Sequence, residues 1–238
     1  MDARSDAFAP SGASVSVVGI YGGQVISGLV LDTPIVRILA ALMALAAVVG
    51  IVLFSRRGHA AGGRVREFRA EDNPPRALQV AWPVLVLIPQ AYVFLVAAIP
   101  EIAYGAMPRF FFPGDSFAQV AGFVLSGLGG LLVLWSGRVL GRYMVIQIAI
   151  AKDHALVQTG PYARIRHPTY AGMMSLAFGT TVLFLSDLLL AVSLAVVLVA
   201  NYRARKEERL LSSPLGFGDA YRAYMARTGR FVPKIAPR

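Results

Sequence analysis

The run from Tyr170 to Tyr202 constrains this chain more than any other stretch, because it is almost wholly apolar and too long to cross a bilayer once. As a straight helix its roughly 33 residues would reach ~50 Å, against a hydrocarbon core of ~30 Å. Such a run must tilt steeply or turn. Ser186-Asp187 at its midpoint supplies turn-forming, water-seeking groups. The run therefore reads as two short helices, about 169 to 185 and 188 to 206. A hairpin returns both ends to one membrane face, and both ends carry the polar residues that are scarce elsewhere.

The remaining spans are Ile35 to Phe54, Gln79 to Ile99 and Ala118 to Leu140. Hydrophobic residues make up 56% of the 238, charged residues 15%, which excludes an ordinary soluble domain. The expected fold is an all-α integral membrane protein with five transmembrane helices, the last two a tight hairpin, and a cytoplasmic C-terminal cap. Three parts follow: a lead over 1–33, three transmembrane helices over 34–140, and a catalytic region over 141–238. Residues 1–14 read as a disordered polar lead. Residues 15–31 are apolar but broken by Gly19, Gly22, Gly23 and Gly28, so an interfacial or periplasmic segment is preferred there to a sixth span. The first ten residues, with Arg4 against Asp2 and Asp6 and no compact apolar core after them, show no cleavable signal peptide.

The net charge of +10 would suggest nucleic acid in a soluble chain. Here the cations lie in loops. Arg56, Arg57, Arg64, Arg66, Arg69 and Arg76 follow the first span; Arg138, Arg142, Lys152, Arg164 and Arg166 follow the third; the tail from Arg203 to Arg238 holds nine more. Five crossings put all of these on the cytoplasmic side, where basic residues accumulate, whereas four would put the tail outside. Anionic lipid heads are the expected partners of the basic loop. Phe110-Phe111-Phe112 reads as an aromatic anchor at the outer interface, and Gly122, Gly127, Gly129 and Gly130 with Ser126 as a close helix-packing surface. Pro83 and Pro89 are expected to kink the second span.

Chemistry is expected at the mouth of the hairpin, in Gly160-Pro161-Tyr162-Ala163-Arg164-Ile165-Arg166-His167-Pro168-Thr169-Tyr170-Ala171-Gly172 and Arg203-Ala204-Arg205-Lys206-Glu207-Glu208. Gly160-Pro161 and His167-Pro168 stiffen the loop. Tyr162, His167, Tyr170 and His154 offer stacking faces, and Arg203 and Glu207, four apart, share a helix face. A metal site on His154 and His167 is disfavoured, since a spacing of 13 is not a helical ligand pair and no acidic cluster completes a shell. The absence of cysteine excludes disulfides and a thiol nucleophile. No serine sits with a base, and no phosphate-binding glycine loop is present.

These residues resemble the isoprenylcysteine carboxyl methyltransferase family and its phospholipid methyltransferase relatives. The likeness runs through Gln147, His154-Ala155-Leu156-Val157, Gly160-x-Tyr162, Arg166-His167-Pro168-x-Tyr170-x-Gly172 and Arg203-x-x-x-Glu207-Glu208-x-x-Leu211. It continues in Gly218-x-x-Tyr221-x-x-Tyr224 and Arg230-Phe231-x-Pro233, so it covers roughly residues 140 to 234. The first three spans show no motif. The resemblance implies a membrane enzyme that takes S-adenosyl-L-methionine from the cytosol and a lipophilic methyl acceptor from the bilayer. It implies a cofactor pocket made by Gln147, His154, Ala155, Leu156, Val157, Gly160, Tyr162, His167, Pro168, Thr169, Tyr170 and Glu207. Arg203 would face the acceptor, and Arg203 and Glu207 together would carry catalysis. Two extra residues between Glu208 and Gly218 leave the pairing Arg205 with Glu208 open beside Arg203 with Glu207. No metal is implied.

The acceptor best suited is a carboxylate of isoprenylcysteine type, with a phospholipid amine or a hydrophobic thiol as alternatives. The hairpin also resembles that of membrane sterol or enone reductases, which use NADPH. Against them stand Ala171-Gly172-Met173, where an acidic residue often follows the glycine, and Glu207-Glu208 in place of their Asp-Glu-x-x-Cys. A non-enzymatic membrane adaptor is a third reading, in which the loop residues would matter only for stability.

Overall fold

The computed structural model describes residues 18–21, 24–27, 33–58, 65–67, 75–99, 115–144, 148, 150–151 and 155–234. Gln147, His154 and the Phe110-Phe111-Phe112 anchor lie outside the described residues. In chain order the elements are β1 (Val18–Tyr21), β2 (Gln24–Ser27), α1 (Thr33–Gly58), β3 (Val65–Glu67), α2 (Arg76–Ala98), α3 (Asp115–Leu140), β4 (Ile150–Ala151), α4 (Pro168–Phe184), α5 (Asp187–Ser212) and α6 (Asp219–Arg227). Two 3-10 turns, Gly141–Tyr143 and Gly160–Ala163, flank β4. The chain is a multi-pass, helical membrane protein. Helices α2, α3 and α5 are long and apolar enough to cross a bilayer, and Pro34–Val49 of α1 is a shorter apolar helix.

Within residues 15–31 the described part is not helical, in keeping with the preference against a sixth span: β1 and β2 pair antiparallel, with Val18 opposite Ser27 and Tyr21 opposite Gln24. Glycine weakens a helix by ~1 kcal/mol per residue, so a stretch this rich in it is a poor spanning helix. A second antiparallel pair joins β3 to β4, so the loop after α1 meets the stretch after α3.

The hairpin turns where Ser186-Asp187 predicts it. Helix α4 starts at Pro168, whose missing N–H costs nothing at a first helical position. It stops at Leu185, the one non-glycine among the described residues with positive φ (51°). Ser186 then caps α5, its Oγ accepting from the Leu189 N–H at 3.3 Å, with Asp187 in the first turn where the helix dipole favours an acid. This turn is buried, with Leu185 and Ser186 fully inaccessible.

Helix α3 packs backbone to backbone against α4. A Cβ on Gly122 would lie 2.7 Å from the Gly179 carbonyl oxygen, and one on Gly129 would lie 2.7 Å from that of Gly172. Small residues seven apart on both helices thus let the chains touch, as suits association in lipid, where packing replaces the hydrophobic drive. Only half of the expected glycine cluster serves this contact: Gly127 faces open space and Gly130 meets Leu176 only at 3.9 Å. Side chains tie the same helices together, with Gln119 Nε2 donating to the Leu183 carbonyl at 2.8 Å and Ser126 Oγ to that of Leu176 at 3.3 Å.

Two apolar clusters complete the interior. Val36, Ala40 and Ala44 of α1 pack with Tyr92, Val93 and Val96 of α2 and with Leu183, Phe184 and Leu189 around the hairpin turn. Trp82 of α2 packs with Ala177, Val192, Val196 and Ala200 along the hairpin. Outward-facing Leu42, Leu45, Leu87, Leu128, Leu131 and Leu198 are exposed, the pattern of helices whose solvent is lipid.

Candidate functional site

Beyond the second 3-10 turn the chain is stitched to its own tail. The Arg166 N–H donates to the Gly229 carbonyl at 2.9 Å, the His167 N–H to that of Arg230 at 3.0 Å, and the Gly229 N–H to that of Arg164 at 3.1 Å. Tyr224 of α6 donates its hydroxyl to the Tyr162 carbonyl at 2.6 Å. These bonds hold the loop 160–168 against the mouth of the hairpin. They also explain why the stiff Gly-Pro and His-Pro pairs occur there: a loop with few open dihedrals loses little entropy when pinned.

A cavity of about 220 Å³ lies between this loop, the hairpin and α2. Its wall includes Leu156, Val157, Tyr162, His167, Thr169, Tyr170, Arg203 and Glu207 among the residues singled out from sequence. Gly160 and Pro168 shape the wall rather than line it. Gly160 sits at φ +57° with Val139 Cγ2 3.0 Å from where a Cβ would stand, so only glycine fits there without displacement. Pro168 starts α4, and Ala155 is exposed outside the cavity.

Within the cavity Tyr170 joins the two turns of α5 that matter. Its hydroxyl donates to Glu207 Oε1 and accepts from Arg203 Nε at 3.2 Å. His167 stacks on the Tyr170 ring, centroids 5.6 Å apart, and its Nδ1 lies 3.4 Å from Glu207 Oε2. Burial alone would lower the His167 pKa. The facing carboxylates of Glu207 and Glu208 outweigh it and raise the value above the usual 6.5. Burial pushes the Tyr162 hydroxyl up to about 12, partly offset by its hydrogen bond to Thr169, so it stays a neutral donor. Thr169 is held in turn by Ser136 of α3 at 2.9 Å.

The structure separates the two candidate pairs on α5. Arg203 is buried, its guanidinium 5.4 Å from the Trp82 ring centroid, whereas Arg205 is exposed. Glu207 faces the cavity, but Glu208 points into the tail. There it receives Arg166 Nε at 2.9 Å and Arg230 Nη2 at 2.6 Å, and His167 Nε2 lies 3.4 Å away without hydrogen-bond alignment. Arg166 also donates to the Thr228 and Met225 carbonyls. Glu208, Arg166 and Arg230 are thus a brace for the cap.

Sequence reasoning missed several wall residues: Trp82 of α2, Tyr143 and Met144 after α3, Met173, and Phe217 before α6. A tryptophan inside the proline-containing span was the one available signal for Trp82. Among the described residues no group of three or more His, Asp or Glu is placed to hold a metal.

Residues 121–213 match the sequence profile of the isoprenylcysteine carboxyl methyltransferase (ICMT) family. The chain is 40% identical over 87 residues to a protein-S-isoprenylcysteine O-methyltransferase of Schizosaccharomyces pombe, covering 35% of each chain. It is 29% identical over 153 residues to that of Tribolium castaneum, covering 60% of this chain and 52% of the relative, and 35% identical over 91 residues to the human protein, covering 38% and 32%. These matches span between about a third and half of the relatives' length. In fold, the chain is similar to a solved eukaryotic intramembrane Ras methyltransferase, ICMT, with TM-score 0.51 at 22% identity over 87% of this chain and 70% of that one. The segment 121–213, carrying most of α3, the pinned loop and the hairpin, is thus the part of this chain that is similar to the isoprenylcysteine carboxyl methyltransferase family.

Proposed function

We propose that this protein transfers a methyl group from S-adenosyl-L-methionine to the carboxylate of a lipophilic acceptor of isoprenylcysteine type. The observation that carries the reading is a single cavity lined by both Glu207 and Arg203, with the Tyr170 hydroxyl bonded to each. In this reading five helices cross the membrane, α4 and α5 as the hairpin, and the cavity opens toward the cytoplasm under the basic tail. The excess of Lys and Arg on that side supports the orientation. The bilayer delivers the acceptor, and anionic lipid heads meet the basic loops.

The donor set suits the methyl donor. A carboxylate, Glu207, stands in a wall of rings and apolar side chains: Tyr162, Tyr170, Trp82, His167, Leu156 and Val157. Glu207 accepts hydrogen bonds from amino or hydroxyl groups, and the rings offer faces to a purine and to a sulfonium. Gln147 and His154 belong to the same proposed set. When bound, the donor supplies an electrophilic methyl group on a cationic sulfur.

Every other step falls to the protein. Arg203 aims the acceptor carboxylate by paired hydrogen bonds. The cavity aligns nucleophile, methyl and leaving sulfur, and its apolar wall excludes water, favouring a displacement in which opposite charges cancel. A carboxylate needs no general base. A neutral amine would, and His167, the only imidazole on the cavity wall among the described residues, is a poor one because Glu207 and Glu208 hold its proton. That favours the carboxylate over the phospholipid amine.

The test is calorimetry of the purified protein with S-adenosylhomocysteine, followed by transfer of labelled methyl to a farnesylated cysteine carboxylate. Saturable binding and base-labile label in the lipid fraction are expected. Absence of binding, or binding of NADPH in its place, overturns the reading.

A further inference from the structure

We propose that Trp82 is a positioning residue, holding Arg203 for the acceptor carboxylate and making α2 part of the acceptor side of the cavity. This rests on the methyl-transfer reading above. Residue 82 lies outside the segment that matches the family profile, so nothing in that match assigns it a role.

Three observations carry the inference. Trp82 is 5% exposed yet lines the cavity beside Tyr170, Met173 and Arg203. The guanidinium carbon of Arg203 stands 5.4 Å from the indole centroid, within cation–π range. The indole also meets the Tyr170 ring edge to face, centroids 5.3 Å apart at 79°, while the Tyr170 hydroxyl accepts from Arg203 Nε. A guanidinium is a flat fork. With Nε spent on Tyr170 and the indole beside it, the plane of that fork is fixed, and the direction in which it presents N–H pairs is fixed with it. Arginine side chains otherwise carry much rotamer freedom, and a carboxylate held at the wrong angle is not in line with the methyl group.

Trp82 also packs on Ala177, Val192, Val196 and Ala200, so a merely structural role must be separated. Trp82→Phe keeps a ring face and Trp82→Leu keeps only apolar bulk. With methyl transfer as the readout, Trp82→Phe should stay within a few-fold of the parent. Trp82→Leu should lower kcat/KM for the acceptor by roughly ten-fold with the KM for the donor unchanged. Adding Trp82→Leu to Arg203→Ala should cost little more, because the indole would have no cation left to position. Equal losses for donor and acceptor, or full additivity with Arg203→Ala, would show that Trp82 only fills space and overturn the proposal.

A second measurement needs neither turnover nor a stable Trp82 variant. The chain has two tryptophans, so Trp135→Phe leaves Trp82 as the sole indole. Titrating a farnesylated cysteine carboxylate should change its emission, the corresponding methyl ester should do so far less, and Arg203→Gln should abolish the difference. Equal response to acid and ester, or no response, overturns the proposal. A response to the acid without methyl transfer sustains the positioning role and removes the reaction instead.

Discussion

Arg230 grips Glu208 along both carboxylate oxygens, Nη2 standing 2.6 Å from Oε2 and Nε 3.1 Å and 3.2 Å from the pair. Glu207, one residue earlier, has no part in this grip and faces the cavity. A helix turns ~100° per residue, so adjacent acids necessarily look in different directions. The same dipeptide therefore provides one anchor for the cap and one wall group for the site.

The two acids should separate in experiment. Glu208→Ala leaves Arg166 and Arg230 without their shared anion beside a nearly inaccessible position, and removal of one partner from a buried pair costs about 3–5 kcal/mol. It should lower the thermal midpoint of the purified protein sharply and expose the tail to protease. Glu207→Ala should lower the midpoint much less while weakening S-adenosylhomocysteine roughly 10–100-fold, the loss expected for one charge-assisted bond. If both variants lose donor binding and stability in the same proportion, the division of labour is wrong.

Gly179 tests the other half of the fold. A Cβ there would come within 2.5 Å of the Ser126 backbone nitrogen and 2.6 Å of the Gly122 carbonyl oxygen, atoms that cannot step aside without moving α3. Gly179→Ala should destabilise by about 1–3 kcal/mol despite alanine's better helix propensity. Gly127→Ala, with nothing within 4 Å of the added carbon, is the control and should be neutral or stabilising by up to ~1 kcal/mol. Thermal midpoints in detergent micelles decide between them.

What was legible in the sequence was set by strong local physics. The hairpin could be placed because an apolar run of that length cannot span once, and Ser186 and Asp187 are where a new helix can be capped. Helical spacing put Arg203 and Glu207 on one face, but the motif left Arg205 with Glu208 open beside them, and only the cavity separates the two pairs. Glu208 could not be assigned its brace, because nothing local tells which of two adjacent acids meets Arg230 from 22 residues downstream. Trp82 was illegible for a related reason: a tryptophan in an apolar helix is equally at home in lipid, and only the packing of α2 on the hairpin turns it toward Arg203. In residues 15–31 the glycines argued against a span, but which residues pair across β1 and β2 was not legible from them.

The Tyr170 hydroxyl is bonded to both sides of the proposed reaction, donating to Glu207 and accepting from Arg203. Tyr170→Phe keeps the ring that stacks on His167 and meets Trp82 but loses both bonds. Each lost bond to a charged partner is worth about 1.5–3 kcal/mol. The variant should therefore raise the KM of donor and acceptor together, whereas Glu207→Gln should act on the donor and Arg203→Ala on the acceptor. Steady-state kinetics with each substrate varied in turn makes the comparison. A Tyr170→Phe enzyme impaired toward one substrate alone would show that the hydroxyl does not link the two halves.

His167 gives the fold a pH dependence whose sign is fixed by its neighbours. Glu207 and Glu208 face it from α5, Tyr170 stacks on it, Phe231 of the tail lies 6.1 Å from it, and Arg166 and Arg230 partly offset the two acids through Glu208. Burial disfavours the imidazolium but the two carboxylates prevail, so the folded-state pKa lies above the unfolded value near 6.5. A group raised on folding contributes stability that is complete below its unfolded pKa and is lost as pH rises through its folded one. Thermal midpoints should therefore fall as pH rises from about 6.5 into the alkaline range. His167→Asn, which keeps a donor toward Glu207 but cannot titrate, should be less stable at low pH and should flatten the profile. A parent profile flat from pH 6 to 9, or a decline that His167→Asn leaves intact, would show that the imidazole is already neutral between its two acids.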